Sequence, residues 1–335
     1  MNAQPHIAIA GATGAVGNEM LQCLEDRQFP VGRLTLLASA RSAGKTLTFR
    51  GEEVTVHELR PDSFAGVDIA LFSAGAGTSA DFAPHAAGAG AVVIDNSSAF
   101  RMDPEIPLVI PEINPEDAAH PPKGIIANPN CTTIVTLMAL APLHRAFGVT
   151  KVIASSYQAV SGSGMGGIRE LESQSKAIAE GRPVEKSVYS HQIAFNVIPQ
   201  VDVFTDNGYT KEELKMLNES RKILHQPTLA VSCTCVRVPV YRSHSVSVTA
   251  SFDRPASVTA ARQALSSAPG IRLVDDPTGN LYPTPLDTTG QDDCQVGRIR
   301  HDLVFENGLS FWVVGDQIRK GAALNAVQIA ELLLP

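Results

Sequence analysis

Cys131 stands where a short polar turn meets an apolar stretch. The turn is Asn128-Pro129-Asn130, and the residues from Cys131 through Leu143 predict a helix. We expect Asn130 to cap that helix, because an asparagine side chain can accept a hydrogen bond from a free backbone N–H. A thiol in the first turn faces the positive end of the helix dipole, which lowers its pKa and favours the thiolate. The same N–H groups could stabilise an oxyanion. An isolated cysteine at a helix start is more often structural, but a nucleotide-binding turn upstream favours a nucleophile, because a thiol next to a nicotinamide has an established chemical use.

A glycine-rich turn follows the first predicted strand, His6–Ala10, and leads into a predicted helix at Asn18–Arg27. Glycines let backbone N–H groups approach a pyrophosphate, and a helix N-terminus favours its negative charge. The spacing is G-x-x-G-x-x-G, a weaker match than G-x-G-x-x-G, and an ordinary strand-to-helix turn is the plainer alternative. The position after the first strand nevertheless predicts a dinucleotide site. Its residues would be Gly11, Thr13, Gly14, Ala15, Val16 and Gly17.

The end of the second predicted strand, Leu34–Ala38, distinguishes NADP from NAD. A carboxylate at this position would bind the ribose hydroxyls of NAD and repel a 2′-phosphate. The sequence here has no carboxylate and offers Ser39, Arg41 and Ser42 instead. These side chains could hold a 2′-phosphate, although Arg41 could also be a solvated loop residue. We therefore predict NADP as the cofactor.

The first part of the chain alternates short apolar strands with helical stretches, which predicts a doubly wound, mostly parallel sheet. Further strands are predicted at Glu53–Leu59, Ile69–Ser73, Val92–Asp95 and Ile125–Ala127. A proline-rich stretch, residues 107–122, is a candidate boundary loop. We expect a Rossmann-type NADP-binding domain over residues 1–127, joined by the C-terminal helical residues 316–335.

The second part of the chain has alternating, β-branched segments that are typical of a mixed or antiparallel sheet with one covered face. Strands are predicted at Lys151–Val160, Thr234–Val240 and Ser245–Phe252, with a hairpin of Leu303–Glu306 and Leu309–Val314 around Asn307-Gly308. Helices are predicted over Gly166–Ala179 and Lys211–Leu224, and a final helix over Ala322–Leu333. The fold class predicted is therefore α/β, with an α+β domain over residues 128–315.

Composition excludes several classes of protein. The chain has 335 residues, 44% of them hydrophobic, and a formal net charge of -7 with acidic and basic residues mixed, which argues against nucleic-acid binding. It has no apolar run of about 18 residues and no basic, apolar leader, so we expect no membrane span and a cytoplasmic location. Five cysteines without a C-x-x-C pair indicate neither a disulfide framework nor a metal site.

Eight separated motifs give the chain a resemblance to the aspartate-β-semialdehyde dehydrogenase family. They are GATGAVG at 11–17, SSAFRMD at 97–103, NPNCTT at 128–133, YQAVSGSG at 157–164, FNVIPQVD at 195–202, TKEELK at 210–215, CVRVPVYRSHS at 235–245 and GDQIRKGAALN at 315–325. The resemblance covers essentially the whole chain. It implies reductive dephosphorylation of 4-phospho-L-aspartate to L-aspartate 4-semialdehyde with NADPH, in the biosynthesis of lysine, threonine, methionine and isoleucine. It also implies a homodimer formed through the second domain.

The resemblance assigns catalytic roles to three residues. Cys131 would displace phosphate and form a thioester, which is a better hydride acceptor than a carboxylate. His244 would be the acid–base residue, since its ordinary pKa lies near neutral pH. Gln158 would orient the acyl intermediate without adding charge.

The resemblance also implies the binding residues. Arg237 would pair with the substrate α-carboxylate, and Glu212 would receive the substrate ammonium. Arg101 and Lys215 would bind phosphate, and Asn130 would also line the substrate site. Further cofactor contacts are expected from Ser73, Ala74, Gly75, Asn96, Ser161, Gly162 and Gln317.

Two alternatives stay open. An N-acetylglutamyl-phosphate reductase would share the thiol and the NADP chemistry, but Thr132-Thr133 and the Arg237–His244 segment favour the aspartyl substrate. A non-catalytic NADP-binding paralogue would be expected to lack the thiol or the histidine, and this chain has both.

Overall fold

The computed structural model describes residues 2–335, which divide into two compact units: one runs to Asn130 and includes Ala322–Pro335, and the other is Cys131–Gly321. The strands are β1 (His6–Ala10), β2 (Arg33–Ala38), β3 (Thr46–Phe49), β4 (Glu52–Glu58), β5 (Ile69–Phe72), β6 (Val92–Asp95), β7 (Ile125–Ala127), β8 (Val149–Gln158), β9 (Ala230–Arg237), β10 (His244–Phe252), β11 (Ile271–Leu273), β12 (Cys294–His301) and β13 (Gly308–Gly315). The helices are α1 (Ala15–Asp26), α2 (Ala76–Gly88), α3 (Cys131–Phe147), α4 (Gly164–Ala179), α5 (Lys211–Ile223), α6 (Val258–Ser266), α7 (Pro285–Thr288) and α8 (Leu324–Leu332). Short 3-10 turns lie at Ala40–Ser42, Pro115–Ala118 and Val160–Ser163, and Arg319–Ala323 is π-helical.

A seven-stranded sheet in the order β3-β4-β2-β1-β5-β6-β7 forms the centre of the first unit. Its neighbouring strands are parallel except for β3 and β4. β2 and β5 flank β1 on opposite sides, so the strand order reverses at β1, and the turn after β1 lies where such sheets bind ligands. Buried apolar residues fill β1 and β5, as expected of a parallel sheet with both faces covered. The predicted doubly wound sheet is confirmed.

The last helix, α8, belongs to the first unit. Its apolar residues are part of the same buried core as β1 and α1, and Arg27 forms an ion pair of 2.5 Å with Glu331. The side-chain amide of Asn325 donates to Oδ1 of Asn128 (2.6 Å) and to the carbonyl of Val109 (3.0 Å). Leu108, Val109 and Ile110 are buried, so the beginning of the proline-rich stretch 107–122 packs into this unit, while several of its later residues are exposed.

A six-stranded mixed sheet in the order β11-β12-β13-β10-β8-β9 forms the second unit. β8 is parallel to β9 and β11 to β12, and the other pairs are antiparallel. α3, α5 and α6 pack against the sheet. In β8 the residues Val152, Ala154, Ser156 and Gln158 are buried, while Ile153 and Tyr157 between them are 50% and 38% exposed. This alternation confirms the predicted mixed sheet with one covered face.

The predicted hairpin around Asn307-Gly308 is wrong in its first strand. β13 pairs with β12, which ends at His301, and not with Leu303–Glu306. The carboxylate of Asp302 accepts hydrogen bonds from the backbone N–H groups of Val304 (2.9 Å) and Phe305 (2.6 Å), which folds this segment into a turn. Leu303 and Val304 are 99% and 82% exposed, so their apolar pattern does not mark a buried strand face.

Two other predicted strands end earlier than expected. β8 stops at Gln158 and β9 at Arg237, and these two residues are register partners. Val160, predicted as strand, lies in the 3-10 turn Val160–Ser163. The chain therefore leaves the sheet at two adjacent polar residues.

Among residues 2–335, no helix combines the length and the apolar character needed to cross a membrane.

Candidate active site

Three neighbouring strands of the second unit bring polar side chains to one edge of the sheet. Gln158 ends β8, Arg237 ends β9, and His244 begins β10. β9 is parallel to β8 and β10 is antiparallel to it, so the three residues lie at the same edge. Their side chains are buried, with 1%, 5% and 0% of their surfaces exposed. Buried polar groups are usually hydrogen-bonded, so the contacts of these three side chains define the geometry of this edge.

The first turn of α3 lies against the end of β8. Cys131 begins α3 and is half-buried, and its neighbour Thr132 accepts a hydrogen bond at Oγ1 from Nε2 of Gln158 over 2.8 Å. Gly321 packs beside Cys131, and a Cβ at Gly321 would lie 3.0 Å from the cysteine Cβ. A side chain at 321 would therefore crowd the residue that carries the thiol.

The ring of His244 is fixed by the backbone. Ala159, which follows Gln158, donates its N–H to Nδ1 of His244 over 3.1 Å. Since Nδ1 accepts this bond, the neutral ring carries its proton on Nε2. Burial holds the pKa of His244 well below its ordinary value, and the positive charge of Arg237 lowers it further. Among the described residues, Nε2 has no hydrogen-bond partner, so it is available to a bound molecule.

Gly162 marks a gap between His244 and Arg237. A Cβ at this position would lie 2.8 Å from Nη1 of Arg237 and 3.3 Å from Nε2 of His244. Nη1 of Arg237 donates to the carbonyl of Ala159 over 2.7 Å, and its guanidinium carbon lies 6.0 Å from the centre of the Tyr189 ring. The glycine keeps open a small space that has a cation on one side and the imidazole on the other.

A chain of polar contacts runs from α5 to Gln158. Glu212 and Lys215 are three residues apart on α5, and Nζ of Lys215 lies 2.9 Å from Oε2 of Glu212 and 2.9 Å from Oδ2 of Asp202. The other oxygen of Glu212 accepts from Nε2 of Gln158 over 3.3 Å. Burial alone would lower the pKa of Lys215, but the two carboxylates outweigh it and the pKa is raised. Lys215 is therefore a cation at neutral pH.

A cavity of about 290 Å³ adjoins this group within the second unit. Tyr189, Ile198, Gln200, Asp202 and Arg237 are among the residues that line it. It offers both an arginine and a carboxylate to a small zwitterionic molecule.

The glycine turn of the first unit is closely packed. Gly11 has a φ of +88°, and a Cβ there would lie 2.3 Å from the carbonyl oxygen of Ser73. A Cβ on Gly17 would lie 2.3 Å from the carbonyl oxygen of Gly11. Gly14 directly precedes α1, which has 12 residues. The turn therefore presents backbone, and not side chains, at the start of a helix, and this arrangement suits a pyrophosphate.

The loop after β2 carries no acidic residue between Ala38 and Lys45. Ser39 and Arg41 are exposed, and Ser42 is buried with its Oγ 3.5 Å from Oγ1 of Thr13. The loop is thus joined to the glycine turn and leaves a cation in reach of solvent.

Arg101, also in the first unit, is buried and bonded to the backbone. Its Nε donates to the carbonyl of Asn128 (2.9 Å) and its Nη2 to the carbonyl of Asn96 (3.0 Å). The side chains of Asn128 and Asn96 are joined over 2.6 Å. Asn130, at the end of this unit, is buried as well.

The predicted residues are thus divided between the units. Those in the second unit are Cys131, Gln158, Ser161, Gly162, Glu212, Lys215, Arg237, His244 and Gln317, and the others lie in the first. Sequence reasoning missed Ala159, Asp202 and Ser243. Ala159 acts through its backbone, which leaves no signal in residue type, whereas Asp202 closes the FNVIPQVD motif and could have been found there.

Comparison with known proteins shows the family of the chain. The models of the semialdehyde dehydrogenase NAD binding domain and dimerisation domain match residues 6–120 and 140–320. Aspartate-semialdehyde dehydrogenase from Aquifex aeolicus is 55% identical, covering 98% of this chain and 97% of the relative, and that from Bacillus subtilis is 54% identical with the same coverage. The crystal structure of aspartate semialdehyde dehydrogenase II from Vibrio cholerae has a TM-score of 0.96 and 49% identity, covering 99% of this chain and 98% of that one. The chain therefore belongs to the aspartate-semialdehyde dehydrogenase family.

Proposed function

We propose that this chain is an NADP-dependent, phosphorylating aspartate-semialdehyde dehydrogenase that converts 4-phospho-L-aspartate to L-aspartate 4-semialdehyde and phosphate. The observation that carries the proposal is the sheet edge at which Gln158, Arg237 and His244 meet beside the helix that begins with Cys131. The similar protein from Vibrio cholerae also has a crystal structure described as complexed with ASA. On this proposal the enzyme serves the biosynthesis of lysine, threonine, methionine and isoleucine, and it acts in the cytoplasm.

The covalent step uses the thiolate of Cys131. Its sulfur attacks the acyl carbon, the C–S bond forms, and the C–O bond to phosphate breaks with release of inorganic phosphate. When NADPH is bound, it supplies a hydride to the thioester carbon. Breaking of the C–S bond then releases the aldehyde and restores the thiolate.

His244 and Gln158 act on the acyl oxygen and its surroundings. Nε2–H of His244 first donates a hydrogen bond to the attacked carbonyl, which stabilises the oxyanion at a buried position. The same nitrogen moves the proton of the hemithioacetal oxygen. Gln158 donates to Thr132 and Glu212, so it fixes the first turn of α3 relative to α5.

Four charged residues bind the substrates in this proposal. Arg237 takes the α-carboxylate, because its buried guanidinium faces the space kept by Gly162. Glu212 takes the ammonium group. Lys215 and Arg101 take phosphate, which is both the leaving group and the nucleophile of the reverse reaction. Asn130 completes the substrate contacts.

NADP fits the first unit through backbone and cation contacts. The turn from Gly11 to Gly17 would hold the pyrophosphate, because it leads into the N-terminus of α1, where free backbone N–H groups favour an anion. Ser39, Arg41 and Ser42 would hold the 2′-phosphate, and the lack of a carboxylate there favours NADP over NAD. The remaining contacts are assigned to Ser73, Ala74, Gly75, Asn96, Ser161, Gly162 and Gln317.

A homodimer is proposed through the second unit. The sheet face not covered by helices carries Ile153 and Tyr157, and the ring of Tyr157 lies 5.4 Å from that of Trp312. An exposed apolar sheet face of this kind is typical of a subunit interface. The matched model of residues 140–320 is described as a dimerisation domain.

Two assays test the proposal. With phosphate and NADP, the enzyme should oxidise L-aspartate 4-semialdehyde and show no turnover without phosphate. Preference for N-acetylglutamate semialdehyde would instead favour the related reductase. Cys131→Ser should abolish turnover and keep NADP binding, while the control Cys23→Ser, in α1, should remain active. If Cys131→Ser kept most of the activity, the covalent mechanism would be wrong.

A further inference from the structure

Arg242 and Ser243, the two residues before His244, are bound by Asp316 and Gln317, the two residues after β13. Arg242 forms an ion pair of 2.6 Å with Asp316, and the backbone N–H of Ser243 donates to Oε1 of Gln317 over 2.7 Å. His244 itself pairs with Gly315 in the antiparallel ladder of β10 and β13. The side chains of Asp316 and Gln317 therefore continue the contact between these two strands beyond the His244–Gly315 pair.

Asp316 is a rigid anchor for this arrangement. Its side chain is completely buried. Oδ1 accepts the N–H groups of Ile318 (3.0 Å) and Arg319 (3.1 Å), and Oδ2 accepts the N–H of Gly290 (2.7 Å). A buried carboxylate with this many donors has one orientation, because any turn of the group breaks several charge-assisted bonds.

Gln317 contacts both segments that hold His244, the residue before it and the turn after β8. Its Oε1 holds Ser243, and its Nε2 donates to Oγ of Ser161. Ser161 lies two residues after Ala159, whose N–H binds Nδ1 of His244. One amide thus connects the backbone that leads into His244 with the turn that fixes its ring.

Ser243 needs such support. It has a φ of +75° and no exposed surface, and its Oγ lies 3.1 Å from Oγ1 of Thr289. A residue with a Cβ rarely takes this backbone conformation, and it persists where the surroundings impose it. Strain next to a proposed catalytic side chain points to a positioning role.

We propose that Asp316 and Gln317 form a clasp that positions His244, keeping Nδ1 against the N–H of Ala159 so that the proton lies on Nε2. The inference rests on the proposed role of His244, although the clasp can be measured without turnover. The charged group that faces the ring is Arg237 of β9; the 159–163 turn has no charged side chain, and Arg242 is paired with Asp316. Loosening the clasp should weaken the Ala159 bond, which favours the neutral ring, and so raise the pKa of His244.

The test is ¹⁵N NMR of the histidine rings in the full-length protein, with His244→Asn used to assign the His244 signals. In the unchanged protein, His244 should show the Nε2–H tautomer and titrate well below pH 6.5. Gln317→Met keeps the size of the side chain but forms neither bond. It should shift the tautomer towards Nδ1–H, raise the pKa and reduce kcat by about tenfold or more.

Two variants at position 243 distinguish a positioning role from a general loss of stability. Ser243→Gly keeps the N–H and suits the left-handed backbone, so it should preserve the tautomer and the pKa. Ser243→Val keeps the N–H but strongly disfavours that backbone, and it should behave like Gln317→Met. A wild-type tautomer and pKa in Gln317→Met would overturn the clasp, even with a higher KM for NADP. If the wild-type protein did not oxidise L-aspartate 4-semialdehyde, the proposed function would be refuted. The NMR measurement would still test the clasp.

Discussion

The N–H of Ala159 points at Nδ1 of His244 over 3.1 Å, so the residue that follows β8 decides which nitrogen of the ring carries the proton. Gln158, the last residue of β8, bonds to Thr132 beside Cys131. Two consecutive residues, one at the end of the strand and one directly after it, therefore fix both the histidine ring and the start of the cysteine helix.

The burial of His244 makes the stability of the protein depend on pH. Its pKa is lowered in the folded state, whereas in the unfolded chain it is about 6.5. Below about pH 6.5 the unfolded chain therefore binds a proton that the folded state does not, and the free energy of unfolding falls as the pH falls. His244→Asn should lose less of this free energy between pH 7 and pH 5, measured by urea denaturation at each pH. Parallel pH curves for the two proteins would contradict the assignment.

Gly162→Ala should impair catalysis more than stability. Its Cβ would lie 2.8 Å from Nη1 of Arg237 and 3.2 Å from Cε1 of His244, in the space assigned to the substrate. We expect kcat/KM to fall by about tenfold to a hundredfold, because small displacements of reacting groups have large effects on rate. Gly88→Ala, where nothing lies within 4 Å of the added carbon, is the control. Steady-state kinetics with equal rates for both variants would refute the placement of the substrate.

Gln158→Met should reduce both stability and activity. The amide of Gln158 donates to Thr132 (2.8 Å), Ser156 (3.2 Å) and Glu212 (3.3 Å), and methionine removes the shared donor at constant volume. The free energy of unfolding should fall by about 1–3 kcal/mol. Ser156→Ala removes only one of these contacts and should cost less. A variant as stable and active as the wild type would show that the bridge is dispensable.

Asp202 should weaken phosphate binding by partly neutralising Lys215. Its Oδ2 lies 2.9 Å from Nζ, and this contact lowers the pKa of Asp202 against the opposing effect of burial. Asp202→Asn should lower the KM for phosphate by up to about fivefold, since partly exposed pairs contribute roughly 1 kcal/mol or less. Lys215→Met should raise that KM. Asp206→Asn, a change at a carboxylate outside this contact, serves as the control, and an unchanged KM in both Asp202→Asn and Lys215→Met would exclude Lys215 from the phosphate site.

Ile153→Glu should dissociate the proposed dimer. Ile153 is half exposed on the open face of the second sheet, and a charge there would have to be desolvated at an interface. Analytical ultracentrifugation should show monomers of the variant at concentrations where the wild type is dimeric. Leu332→Glu, at the end of α8 in the first unit, should leave the association unchanged. Identical sedimentation of Ile153→Glu and wild type would place the interface elsewhere.

Much of the fold follows from periodicity, because β1, α1 and α5 each carry a local signal in their apolar spacing or their caps. The prediction of a hairpin strand at Leu303–Glu306 was wrong, because apolar residues in a turn resemble a strand when the pairing partner is unknown. β3 and β11 were missed because each is short, and β12 was missed because a glycine and charged residues interrupt its apolar pattern.

Residue types and motifs pointed to Cys131, His244 and Arg237 as candidates. They could not reveal contacts made by backbone atoms, such as the N–H of Ala159, or the left-handed backbone of Ser243. These features depend on where distant segments meet, and residue type alone does not encode that.

The first unit is built from two segments that are far apart in the sequence, because it includes α8. α8 supplies Leu324, Val327 and Ile329 to the core around β1, although more than 190 residues separate it from the rest of that unit. The first unit therefore cannot complete its core through local folding, because part of that core comes from residues that follow the whole of the second unit in sequence.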